Sequence, residues 1–232
     1  CDWIPDEDPP ATLDWNMWLG PAPWRRFNRK IHPYEFRYWR DYSGGLLTDW
    51  GVHLFDIAQW GLGKDDTSPI RIEAVGRMYE DNMYEFPETM HIRYVYRDAV
   101  LEWSQGEGIE YEPGQGYGTK FYGTEADLCV NRGGYWIHPK HNKKINEDIG
   151  PNDLRLYESP GHPQDFFNCM RSRRKPICDV EIGHRSTCIS HLGNISFRLG
   201  RPVDYDPVRE IFPTDAAATA MVEKPMRAPW HL

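Results

Sequence analysis

Asp49, His53 and Asp56 stand four and then three residues apart in an otherwise apolar stretch, SGGLLTDWGVHLFDIAQWGLG, from Ser43 to Gly63. On a helix, that spacing stacks them along one side, a turn at a time. A carboxylate one turn from an imidazole fixes its tautomer and raises its basicity, and a histidine held this way moves a proton near neutral pH. Each charge is costly among apolar neighbours unless it is paired or faces a cleft. Two plainer readings fit the same spacing. Asp49 caps the helix while His53 is a satisfied buried polar residue, or the three side chains offer N and O ligands to a metal ion.

Other candidates flank this helix. FRYWRDY (Phe36–Tyr42) precedes it, and Arg37, Trp39, Arg40 and Tyr42 suit a polyol cleft, which favours aromatic faces and forked donors. They serve equally well as braces for the loop. Further on, His184, Cys188 and His191 recur at i, i+4 and i+7 like a metal stripe, a pattern that helix packing also produces. His162 opens its own helix, and His138 and His141 read as solvated residues of a polar loop, 138–153. Arg171, Arg173, Arg174 and Lys175 fit a solvated helix C-terminus. The five cysteines (Cys1, Cys129, Cys169, Cys178 and Cys188) are odd in number and lack C-x-x-C spacing, so they read mostly as small buried apolar residues.

These residues need elements to position them. Leu46, Leu47, Trp50, Leu54, Ile57, Ala58 and Gly61 recur with a period near ~3.6, predicting one helix over 46–62 that starts at Gly44-Gly45 and stops at Gly63. Asp49 and His53 should then be partly accessible, with Leu54 and Ile57 buried on the opposite side. Asp56, a turn deeper, must find a partner. A short helix is expected within 13–24, with Asp14 as N-cap and Gly20-Pro21 as its stop. Residues 70–79, 88–97 and 99–105 alternate as strands, with a tight hairpin at Arg97-Asp98, and 118–139 adds up to three more. Helices over 162–174, 180–200 and 214–222 complete the chain. The order helix, meander, helices predicts an α+β fold with a large, mainly antiparallel open sheet and helices packed on one face.

The chain of 232 residues can bury a sizeable core. The expected organisation is a loop-rich arm with a short helix, 1–43, followed by an α/β domain, 44–232. A formal charge of −8 argues against nucleic-acid or anionic-membrane partners, because the basic field that attracts phosphate is missing. No apolar run reaches the roughly 18 residues of a membrane span. The sequence opens on Cys1 in polar loop sequence, so it reads as a piece of something longer or as a processed chain, cytoplasmic or periplasmic, with any targeting signal out of view.

LDWNMWLGPAP, YWRDYSGGLLTDWGVHLFDIAQWGLG, FYGTEADLCVNRGG, EIGHRSTCISHLGNISFRLGR and KPMRAPW together resemble the glucose-fructose oxidoreductase/inositol dehydrogenase (Gfo/Idh/MocA) family. The resemblance covers nearly the whole chain, and G-G-x-x-x-D-x-G-x-H (Gly44–His53) is its most specific block. It implies that His53 is the acid/base on a substrate hydroxyl and that Asp49 orients it or binds substrate. It also implies that His184 and Arg185 lie close to the cleft. NAD or NADP would be bound by a Rossmann domain. That domain's G-x-G-x-x-G is absent here, because GQGYG (Gly114–Gly118) lies between strands with no helix after it. Glu223-Lys224-Pro225 imitates the family's Glu-Lys-Pro motif but sits in the C-terminal tail, so its cofactor role is not carried over.

The expected function is therefore the substrate-binding and catalytic C-terminal domain of an NAD(P)-dependent oxidoreductase acting on a sugar, polyol or glycoside hydroxyl. Neither a cofactor site nor a metal site is expected within this chain. The expected partners are a carbohydrate, the Rossmann domain and further copies of the chain, joined through sheet residues such as Tyr94, Tyr96 and Trp103. Two rivals are a stand-alone binding or oligomerisation module and a redox-neutral hydrolase or lyase of the same family.

Overall fold

The computed structural model describes residues 3–148 and 150–230, which leaves Cys1 outside the described residues. The chain divides into two units, residues 1–109 with 186–232, and residues 110–185.

In the first unit the alternating segments form a meander: β1 (Arg71–Met78), β2 (Pro87–Val95) and β3 (Val100–Gln105). The two-residue strand β7 (Val203–Asp204) extends the sheet to the antiparallel order β3-β2-β1-β7. Ile72 pairs with Tyr94 and Tyr94 with Leu101, while Ala74 pairs with Ile92 and Ile92 with Trp103. All six side chains therefore point to one face. The helical residues Leu47, Phe55, Ala58, Ile189, Leu192 and Ile195 join them in the main core. These come from α2 (Leu46–Asp49), α3 (Gly51–Leu62) and α5 (Val180–Leu199). The α+β class and the placing of helices on one sheet face thus follow the sequence reading.

Tyr94, Tyr96 and Trp103 belong to this covered face, at 0 %, 4 % and 7 % exposure. They cannot form the oligomer surface the sequence suggested. Alternation fixes which residues share a face but not which face the helices take. The open face instead carries charged side chains, with Arg71 Nε 2.8 Å from Glu73 and Arg77 Nη2 2.7 Å from Glu88. On α5, Gly193 marks the closest approach to the sheet, since a Cβ there would stand 2.3 Å from Tyr94 Oη and 2.7 Å from Ile92 Cδ1.

The expected helix over 46–62 is interrupted at Trp50, giving α2 and α3. Its inward residues are Gly51, Phe55, Ala58 and Gln59, whereas Leu54 and Ile57 are only half-buried. Helix α1 is just Trp15–Leu19, capped by Asp14, which accepts from Met17 N at 3.0 Å. Gly20, at φ +52°, ends it. Trp15, Leu19, Phe27, Ile31 and Trp39 form a second core within the arm. Near the chain's end, α6 (Ala216–Thr219) is capped by the Asp215 side chain.

The second unit holds a separate antiparallel sheet, β4 (Thr119–Tyr122), β5 (Ala126–Asn131) and β6 (Gly134–Pro139), in the order β4-β5-β6. The expected single large sheet is thus shared between two. Helix α4 (His162–Ser172) buries none of its residues. His138 pairs with Asp127 as part of β6, so it belongs to a strand and not to the polar loop. Of the described cysteines only Cys129 is buried, Cys169 and Cys188 are half-buried and Cys178 is exposed, so the expectation that most of them are buried does not hold.

Candidate functional site

The Gly44-Gly45 turn builds the site. Gly45 has φ +73°, and a Cβ on it would strike the Phe86 ring at 2.6 Å, so the turn requires glycine. Asn194 on α5 donates Nδ2–H to the Gly44 carbonyl at 2.8 Å and fixes the turn from below. The Gly45 N–H donates to the Arg37 carbonyl at 2.9 Å. That bond ties the 3-10 turn Glu35–Tyr38 to the start of α2 and brings Arg37 within reach of Asp49.

Arg37 Nη1 donates to Asp49 Oδ2 at 2.7 Å, with the side chains 18 % and 34 % exposed. The Arg37 guanidinium lies 4.1 Å from the centre of the Tyr34 ring, a cation–π contact that holds it flat. Asp49 therefore has an arginine as its partner. His53 is exposed on the first turn of α3, edge-on to Trp50 with centroids 6.5 Å apart. Asp56, the deeper carboxylate, accepts from Ser186 Oγ at 3.0 Å, which meets its need for a partner.

The remaining candidates separate. Arg40 turns to Glu85, its backbone N–H donating to Oε2 at 2.7 Å. Trp39 is 3 % exposed in the arm's core, beneath the Arg25 guanidinium at 4.4 Å. Tyr42 packs on Trp18 at 4.9 Å, and burial pushes its hydroxyl up to about 12. His184 and Arg185 occupy the early turns of α5, where Arg185 Nε donates to Glu181 at 2.8 Å on its own helix. Among the described residues, neither Asp49–His53–Asp56 nor His184–Cys188–His191 forms a close group of metal ligands.

Sequence reasoning missed Tyr34, Glu85 and the position of Lys224. Tyr34 lies three residues before Arg37 and was readable as its platform. Lys224 was not. Its Nζ donates to the Arg40 carbonyl at 2.5 Å across a separation of 184 residues, and burial lowers its ammonium below the ordinary lysine range.

The first unit is thus an antiparallel sheet covered by helices on one face, with a carboxylate on α2 and a histidine on α3. The family profile described as "Oxidoreductase family, C-terminal alpha/beta domain" matches residues 2–232, and the chain belongs to the Gfo/Idh/MocA family. No curated protein matches it. Among solved structures, an NAD-binding protein from Listeria innocua is similar at TM-score 0.52 and 15 % identity, over 74 % of this chain and 55 % of that one. A candidate NADPH-dependent oxidoreductase from Desulfitobacterium hafniense is similar at TM-score 0.51 and 17 % identity, over 76 % and 53 %. At these identities the likeness is one of fold. The chain spans about half the length of the structures it matches.

Proposed function

We propose that this chain supplies the substrate side of an NAD(P)-dependent oxidoreductase acting on a hydroxyl of a sugar, polyol or glycoside. The observation that carries the reading is the half-open Arg37–Asp49 pair one turn before the exposed His53. In this reading His53 takes the proton of the reacting hydroxyl. Asp49 Oδ2 is held by Arg37, so Oδ1 remains to accept from a neighbouring substrate hydroxyl. Arg40 is a further substrate contact, while Trp39 and Tyr42 act from behind by bracing the loop. The family match and the half-length coverage support a separate nucleotide-binding domain. Every described strand pairing is antiparallel, which does not fit a parallel βαβ cradle, so no step at the nicotinamide is derived from this chain.

The test joins this chain to a nucleotide-binding domain. His53→Ala should cut turnover roughly a hundredfold or more, the usual scale for a positioned acid/base, and leave the melting curve in place. A variant that loses stability yet keeps full activity per folded molecule would show His53 to be structural. Calorimetry of the chain alone with NAD and NADP should show no binding, and micromolar affinity would overturn the division of labour.

A homo-oligomer remains part of this proposal, now through the open sheet face, where Val75 and Val100 are 66 % and 46 % exposed among the charged residues. Sedimentation at micromolar concentration should give at least a dimer, and a monomer would remove the oligomer from the reading.

A further inference from the structure

Three donors of different chemistry converge in the unit 110–185. Glu112 sits at the head of a tight turn closed by Gln115 N–H donating to its carbonyl at 2.8 Å. Cys129 lies in β5 and His138 in β6. Cys129 pairs with Trp136 and His138 with Asp127, so Cys129 and His138 are diagonal neighbours on one sheet face. The ligand atoms of Glu112, Cys129 and His138 all lie within 4.8 Å of one another. His138 Nε2 stands 2.9 Å from Glu112 Oε2. Glu112 and Cys129 are 7 % and 0 % exposed, while the His138 side chain, at 48 %, opens the group to solvent. The separation of 26 positions between Glu112 and His138 hides the grouping from any spacing argument.

We propose that Glu112, Cys129 and His138 bind one divalent cation of the zinc class, through a carboxylate oxygen, the thiolate sulfur and Nε2. The ion clips the turn at Glu112 to the β4–β6 sheet. A sulfur, nitrogen and oxygen set selects a borderline-soft ion over magnesium or calcium. One thiolate and one carboxylate balance its two charges. The Tyr111 hydroxyl, buried with no partner among the described residues, stands near Cys129 and Glu112 and faces the choice of fourth ligand with water. The other charged neighbours are Lys120, opposite Cys129, and Asp127, paired with Lys140 at 2.6 Å. Binding through the thiolate releases the thiol proton to solvent. The unit has reason to need such a clip, because Cys129 is the one buried apolar side chain among its described residues.

Cobalt(II) titrated into the purified, reduced chain tests this. The expected result is one equivalent bound, a sulfur-to-cobalt charge-transfer band, displacement by zinc and a higher Tm with zinc. Cys129→Ser should abolish the band and Cys169→Ser should keep it. Cys129 is buried and its replacement risks misfolding, so His138→Gln, at an exposed position, provides the second test. It should weaken binding more than about a hundredfold, beyond the cost of losing an outer-shell partner, with the circular dichroism unchanged. No band in the wild-type chain, or a band that survives His138→Gln and Cys129→Ser, would reduce the trio to a hydrogen-bonded cluster and overturn the proposal.

Discussion

The two units differ in what they bury. Residues 1–109 and 186–232 contain two apolar clusters, with Tyr94, Phe55, Ile72, Ile92 and Ile189 at or below 2 % exposure. In residues 110–185 the side chains out of solvent are mostly polar, such as Glu112, Thr119 and Asn131, joined by Cys129. Asn131 donates to Gln115 Oε1 at 2.9 Å and accepts from Gly133 N–H at 2.7 Å. Burial of apolar area drives folding, whereas a typical hydrogen bond adds only ~0.5–1.5 kcal/mol net. The difference teaches that one unit holds its shape by packing, while the other relies on polar turns and side-chain hydrogen bonds. The Arg37–Asp49–His53 group stands on the packed unit, as a site that needs fixed geometry should.

The comparison can be broken most sharply at Phe55, which touches Tyr94 and Trp103 with ring centroids 5.3 Å away in each case. Phe55→Ala should cost about 3–5 kcal/mol in urea or thermal unfolding. A loss below about 1 kcal/mol would mean that the first unit does not depend on its core. A smaller effect is expected at Asp215. The Arg201 guanidinium, with help from the Ala218 N–H, holds its carboxyl at about 2, well below the usual carboxylate range. The charged form is thus favoured on folding. Its contribution is complete above the unfolded value of about 4 and is lost as pH falls through about 2. Asp215→Asn keeps a cap acceptor but loses the charge, so its Tm should fall below wild type at neutral pH. The gap should close between about pH 4 and 2. A gap that is independent of pH would assign the loss to shape. The smallest effect is expected in the second unit, at Phe167 on α4, which is 50 % exposed. Phe167→Ala should stay within about 0.5 kcal/mol of wild type, and a larger loss would show hidden packing there.

Where one local rule decides, the sequence was readable. Asp14 caps α1 as its residue type requires, α5 runs to Leu199 and stops at Gly200 with φ +64°, and the Arg97-Asp98 hairpin closes through Tyr96 N–H donating to the Ala99 carbonyl. Strand β7 was not readable, because two residues carry no period. Nor was the break at Trp50, which leaves helical backbone on both sides. At the candidate site, the Asp49–His53 spacing was visible, but the pairing of Asp49 with Arg37 was not. It depends on a backbone bond from Gly45 that folds the chain back on itself. The face taken by Tyr94 and Trp103 escaped for a related reason, since alternation is symmetric until a helix covers one side.

Gly193 gives α5 the role of a shim. With no room for even one methyl between helix and sheet at that point, the thickness of the layer is set to within a bond length. The next residue, Asn194, carries that height to the Gly44 carbonyl, and so to the start of the helix that bears Asp49. The site is thus levelled from beneath. The height of the Arg37–Asp49 pair thus depends on the thickness of the layer beneath it as well as on the side chains themselves.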